Sequence, residues 1–295
     1  MRLYRGFETQ EELDRAYDPG AGDPPGRRFV ATWRERSRAM REASGTRLRL
    51  RYGPTVEEHL NLYPAGEGAP VHLFFHGGYW RANTADDFDF VAAPLVRAGV
   101  TTAIVNYALC PAVGIDEIVR QARAAVAWAF AGIARFGGDP GRISVSGHSA
   151  GGHLVGMLAV TDWARAYDLP ADVIKAGIAL SPLMDLAPFP YSYLQPKLQL
   201  SWDQVRRCSP VNHVPLAGSP RLSPELLLAV GGLESGEFHR QAESFDRLWR
   251  GSGHAGRLMI APDLDHFSIL EAMLDGTSAL GMATRSLLGV RQEVR

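Results

Sequence analysis

Six short apolar runs constrain this chain more than any other feature: VHLFF (71–75), TTAIVNY (101–107), RISVSG (142–147), IKAGIAL (174–180), ELLLAVG (225–231) and RLMIAP (257–262). Each is strand-length and apolar almost throughout, as the central strands of a sheet covered on both faces must be. Between them lie helical patterns. Residues 116–135 place Ile118, Val119, Ala122, Ala125, Val126, Ala129, Phe130 and Ile133 at i, i+3, i+4 spacing, and 237–250 and 277–289 are further candidates. Upstream, RLRLRY (47–52) and EHLNLY (58–63) alternate apolar and polar residues around GPTVE, which predicts a half-exposed antiparallel pair. The fold class expected is α/β: a mostly parallel central sheet, an antiparallel N-terminal strand pair and helices on both faces.

A single domain over 1–295 is expected, with 1–45 as an N-terminal extension and 183–224 as a lid-like insertion over the carboxyl edge of the sheet. The extension contains DPGAGDPPG, which is turn chemistry, and then Phe29, Val30, Trp33, Ala39 and Met40 on one side of a short helix. The formal net charge of −1 supplies no field to draw nucleic acid or an anionic membrane. Arginines cluster in 27–52, but with acids and helical spacing, as on a solvated helix face. Cys110 and Cys208 are the two cysteines, without CxxC spacing, so a reducing compartment fits and no disulfide is required. The N-terminus MRLYRGFETQEELD has no apolar h-region and no segment is apolar over the ~18 residues of a membrane span, so a cytoplasmic chain is expected. Neither HExxH nor a comparable His/Cys cluster is present, so neither a metal nor a cofactor is expected.

The most informative segment is RISVSGHSAGGHLVGMLAV (142–160). Gly147-His148-Ser149-Ala150-Gly151 matches G-x-S-x-G, the sharp strand-to-helix turn that lifts a serine above a sheet. An apolar strand precedes Ser149, and Leu154, Met157 and Leu158 follow it at helical spacing, so the motif has its required context. Ser149 is the candidate nucleophile.

A serine attacking a carbonyl needs donors aimed at the oxygen that becomes negative. HGGYW (76–80) directly follows the strand-like VHLFF. Gly77 and Gly78 let the backbone approach the oxyanion, with the N–H groups of Gly78, Tyr79 and Ala150 as candidate donors. His76 reads as a brace for that loop. His266, in RLMIAPDLDHFSILEAM, follows the last strand and precedes a helical run, which places it as the base; His153, His239 and His254 fit no role as well. The acid should follow the preceding strand. Glu234, three residues past Gly231, is the candidate, with Glu237 and Asp185 as rivals; Asp263 and Asp265 are too near His266 to swing round it.

Taken in order, HGGYW, YALCP (107–111), GHSAGGH, SPLMDL (181–186), ESGEFHRQ (234–241) and LDHF (264–267) resemble the arylformamidase (kynurenine formamidase) branch of the α/β-hydrolases, near the hormone-sensitive-lipase-like esterases. The resemblance covers roughly residues 47–290. It implies metal-independent cleavage of a small aromatic formamide or ester, N-formylkynurenine in the type case. The alternatives are a short-acyl carboxylesterase and a hydrolase scaffold that binds without turnover. Two positions depart from the family pattern: the acid is Glu234 where the family carries Asp, and 191–210 matches the lid segment only loosely. Tyr79, Trp80, Trp202 and Phe267 would suit a flat aromatic substrate. The expected partner is a small molecule, and a homodimer stays open.

Overall fold

The structure, a computed structural model, describes residues 2–20, 25–42, 46–218 and 223–290. Eight strands form one sheet: β1 (Arg47–Arg51), β2 (His59–Tyr63), β3 (Ala69–Phe75), β4 (Thr101–Val105), β5 (Gly138–His148), β6 (Ile174–Leu180), β7 (Glu225–Gly231) and β8 (Gly256–Ala261). Their order is β1-β2-β4-β3-β5-β6-β7-β8. β2 runs antiparallel to both β1 and β4, and every pair from β4 to β8 is parallel. All six apolar runs are strands, and in β3, β4, β6 and β7 the pleat splits its side chains between two cores; RLMIAP differs from the expectation, because β8 lies at the sheet edge and its residues are only partly buried or exposed. On β3, Val71, Leu73 and Phe75 enter one core and Phe74 the other; on β7, Leu226, Leu228 and Val230 oppose Leu227 and Ala229. A side-chain period of two between covered faces therefore produces the near-continuous apolar runs.

The alternation of EHLNLY does not leave β2 half exposed: all five strand residues are buried. Polar side chains there are satisfied rather than solvated. Asn61 accepts from Arg49 N at 3.0 Å and donates to Asp89 Oδ1 at 3.0 Å, and His59 Nδ1 donates to Val56 O at 2.9 Å. The covering layer is the 3-10 segment 85–91 with the helix Pro25–Glu42, whose Arg41 pairs with buried Asp89 at 2.7 Å.

Residues before β1 are more ordered than their composition predicts. Gln10–Ala16 is a helix opened by a capping box, Thr9 with Glu12. Tyr17 closes it and is fully buried, donating to Glu237 Oε2 at 2.6 Å. Within DPGAGDPPG, residues 21–24 lie outside the described residues and Pro25 already opens the second helix. Between β6 and β7 the chain forms short helices, Gln195–Leu198 and Trp202–Cys208 among them, and no strand among the described residues; residues 219–222 lie outside them. No described helix is long and apolar enough to cross a membrane.

Candidate active site

β5 runs into the helix Ala150–Ala159 through Ser149, which holds φ 58° and ψ −114°. A non-glycine residue rarely adopts positive φ, and the turn persists because its surroundings leave no alternative. Ser149 N donates to Leu180 O at 2.8 Å. A Cβ on Gly147 would lie 2.2 Å from Gly151 O, and one on Gly151 would lie 1.9 Å from Phe75 O. The glycines of GHSAGG are thus fixed by backbone packed against backbone.

The neighbouring strand β3 delivers HGGYW to the same place. Gly78 sits at φ 120°, and Tyr79 and Trp80 follow at 50° and 55°. A Cβ on Gly77 would stand 3.3 Å from Ser149 Cβ, so this loop passes directly beside the serine. The N–H groups of Gly78, Tyr79 and Ala150 donate to no acceptor among the described residues. Asn83 Nδ2 donates to Gly77 O at 3.2 Å, and the N–H groups of Arg81 and Ala82 donate to Gly78 O at 3.1 Å each. His76 braces the loop as expected: it stacks on Tyr107 at 4.1 Å, and Tyr107 Oη donates to His76 O at 2.6 Å. Gly78→Ala would strain the backbone and bring a methyl to 2.3 Å from Ala82 O. Displacing the candidate oxyanion N–H groups in this way is expected to lower kcat by about 10²–10³. Steady-state kinetics with a folding check by circular dichroism would show it.

His266 and Glu234 meet where the turns after β7 and β8 touch. Gly232 N donates to Ala261 O at 2.7 Å and Leu233 N to Leu264 O at 3.1 Å, and a Cβ on Gly231 would collide with Leu264 O. Glu234 Oε2 then accepts from His266 Nδ1 at 2.7 Å, while Oε1 accepts from Ser181 Oγ at 2.6 Å and Gly231 N at 2.7 Å. The carboxylate side chain is 1% exposed. Because an ionised carboxylate only accepts, Nδ1 carries the proton and Nε2 is the basic nitrogen. The rivals are engaged elsewhere. Glu237 pairs with Arg240 at 2.8 Å, Asp185 faces Tyr4 and Arg240, and Asp265 caps the N–H groups of Phe267 and Ser268. Ser181 was not legible as an orienting group, because SPLMDL carries no local sign that its serine crosses to the neighbouring strand's turn.

Ser149, His266, Gly77, Gly78 and Tyr79 all face one cavity of about 190 Å³. Its apolar walls are Pro19, Val30, Trp33, Phe88 and Phe267, and Asn83, Asp87 and His148 also line it. Trp33 stands 5.8 Å from Phe88 and 6.2 Å from Phe267, ring centre to ring centre. Phe267 and Tyr79 line this cavity, but Trp80 and Trp202 do not. The Trp80 ring turns inward from its left-handed backbone, is fully buried, and donates from Nε1 to His153 Nδ1 at 3.2 Å. Trp202 opens the helix Trp202–Cys208, 58% exposed, beside Tyr191. The residues missed are Pro19, Val30, Trp33, Asn83, Asp87 and Phe88. Helical spacing put Val30 and Trp33 on one face, but nothing local said that this face covers a site assembled from residues between 77 and 267. A larger groove of about 790 Å³ elsewhere, lined by Arg123, Tyr167 and Arg207, contains neither Ser149 nor His266. The described residues hold no group of three or more His, Cys, Asp or Glu side chains placed to bind a metal.

Four histidines around this region are held neutral by burial, which pushes His72 and His148 down to about 3 and His76 and His153 down to about 4. For His148 the neighbouring His266 adds to burial, against the hydrogen bond from His148 Nε2 to His266 O at 2.6 Å. Each folded pKa lies below that of an unfolded histidine, near 6.5. Stability is therefore fully present above about pH 6.5 and is lost as pH falls toward the folded values. By pH 5 each group removes about 2 kcal/mol, a heavy loss for a domain typically stable by about 5–15 kcal/mol. Urea midpoints should drop steeply between pH 6.5 and 5, and a flat profile would contradict this assignment.

Comparison with known proteins agrees with this fold. Residues 72–266 match a family described by the alpha/beta hydrolase fold. Kynurenine formamidase of Danio rerio is 27% identical over 95% of this chain and 97% of its own length, and that of Salmo salar 28% over the same shares. The carboxylic ester hydrolase LipN of Mycobacterium tuberculosis is 31% identical over 78% of this chain and 65% of its own. Among solved structures, a Silicibacter sp. tm1040 protein whose description proposes a thioesterase superposes with a TM-score of 0.77 at 28% identity, covering 91% of this chain and 97% of that one. With the eight-stranded sheet, the strained serine after β5 and the matched span considered together, the chain belongs to the α/β-hydrolase fold family.

Proposed function

We propose that the protein is a serine hydrolase that cleaves small aromatic formamides, with N-formylkynurenine-like molecules as its preferred substrates. The observation that carries this reading is a serine on a strained elbow and an acid-oriented histidine opening into one small cavity walled by aromatic rings. Substrate choice is further supported by the near full-length similarity to kynurenine formamidases.

In this reading Ser149 Oγ attacks the formyl carbon while His266 Nε2 takes its proton. The carbonyl oxygen becomes negative between the N–H groups of Gly78, Tyr79 and Ala150, which are already oriented and need no reorganisation. Collapse breaks the C–N bond, and His266 returns the proton to the departing arylamine. A water, deprotonated by the same histidine, then releases formate from Ser149. Glu234 holds the Nδ1–H tautomer and stabilises the imidazolium in both halves. The apolar walls exclude bulk water and receive the flat ring.

The second reading, a short-acyl carboxylesterase, is favoured by the likeness to LipN. Values of kcat/KM for N-formylkynurenine and p-nitrophenyl acetate, measured side by side, separate the two. Preference for the formamide is expected. Preference for the ester would retain the mechanism and replace the substrate class, and no turnover of either, with no labelling of Ser149 by a fluorophosphonate, would sink both.

A further inference from the structure

The cavity that holds Ser149 carries one carboxylate that the hydrolytic chemistry does not use. Asp87 forms part of its wall, opposite in character to the rings of Trp33, Phe88 and Phe267. Among the described lining residues, Asp87 and His266 are the only ionisable acid and base apart from buried His148 and Tyr79. We infer that Asp87 is a specificity residue that receives a cationic, ammonium-bearing arm of the substrate; this rests on the hydrolase reading above.

Three observations carry the inference. First, the Asp87 side chain is 23% exposed, so a charge brought to it is neither lost to bulk water nor forced into a dry core. Second, its oxygens retain capacity. Oδ1 accepts from Arg34 Nε at 2.8 Å, and Oδ2 from Thr84 N at 3.0 Å and from Thr84 Oγ1 at 3.4 Å, whereas a carboxylate offers about four acceptor sites, so one remains. Arg34 is 58% exposed and approaches from the solvent side, so it screens the carboxylate only in part. Third, Asn83 stands on the same wall with Nδ2 committed to Gly77 O, which leaves its amide oxygen as a second acceptor. With Glu234 behind His266, the charges about the cavity favour a positive ligand group over a negative one.

Asp87 also caps a single 3-10 turn with Thr84, and that structural duty alone would explain a carboxylate at this position. The test must therefore read charge rather than fold. 3-(Aminomethyl)formanilide, protonated at neutral pH, and 3-ethylformanilide have nearly the same shape and differ in charge. The wild-type enzyme is expected to favour the ammonium compound in kcat/KM by about tenfold, as one charge-assisted hydrogen bond in a part-buried site would give. Asp87→Asn, which keeps the capping oxygen, should bring that ratio toward one. Arg34→Gln, a change on the exposed helix face, removes the competing cation and should raise it. A wild-type ratio near one, or a ratio that Asp87→Asn does not move, overturns the inference. Titrating both compounds into Ser149→Ala by calorimetry gives the same ratio as dissociation constants. Absence of turnover would then count against the hydrolase reading, while the binding ratio still decides the role of Asp87.

Discussion

Ser149→Ala is expected to lower kcat about a million-fold while the protein keeps its fold and its affinity for substrate. The magnitude follows from how a triad works as a unit: once the nucleophile is gone, the base and acid have no proton to move, and only binding and the oxyanion donors remain. A methyl group fits the elbow without new contacts, because Ser149 N, not its side chain, makes the bond to Leu180 O. Circular dichroism should therefore be unchanged, and calorimetry should still detect binding. The variant should also resist a fluorophosphonate that labels the wild type stoichiometrically. Hydrolysis within tenfold of the wild-type rate would remove Ser149 from the mechanism and, with it, the main reason for reading GHSAGG as an elbow rather than as an ordinary glycine-rich turn.

Glu234→Gln should lower kcat by about 10⁴, comparable to the loss expected when a triad acid becomes an amide. The substitution preserves volume but offers Nδ1 of His266 either an oxygen or an amide N–H. The latter would stabilise the wrong tautomer and leave Nε2 protonated when it should be basic. Asp185→Asn provides the control, since Asp185 is held by Tyr4 and Arg240 on the far side of the β6 turn, and its loss should change kcat less than threefold. If the two variants gave the reverse pattern, the acid would have to be reassigned despite the 2.7 Å contact between Glu234 and His266. The longer glutamate finds room because Ser181 Oγ and Gly231 N hold its second oxygen, which fixes the extra methylene in one conformation.

How much of this was legible in the sequence depended on whether the cause was local. Strands β3 to β7 could be read because burial on both faces acts on nearly every residue of a strand at once, whereas β8 is apolar yet lies only partly buried at the sheet edge. Ser149 and His266 could be read because chain order and strand offset are properties of the chain itself. EHLNLY misled because the layer that covers it comes from residues 25–42 and 85–91, and a polar side chain facing another polar group reads like one facing water. Tyr79 and Trp80 are adjacent in sequence, yet one lines the cavity and the other is buried edge-on against His153 and Phe189. No periodicity rule covers two successive residues at positive φ. Trp33 shows the same limit from the other side, since it contributes a wall to a site whose chemical groups all come from the distant part of the chain.

The left-handed backbone at position 149 has an evolutionary cost as well as a chemical use. A non-glycine residue held there stores on the order of 1–3 kcal/mol of strain, which glycine at the same position would largely release. Ser149→Gly should therefore unfold at a higher urea concentration than the active protein, and an equal or lower midpoint would show the elbow to be unstrained. Any laboratory selection that rewards only heat resistance or soluble yield would drift toward discarding the proposed nucleophile. A thermostable variant of this chain is informative only when turnover is scored in the same round.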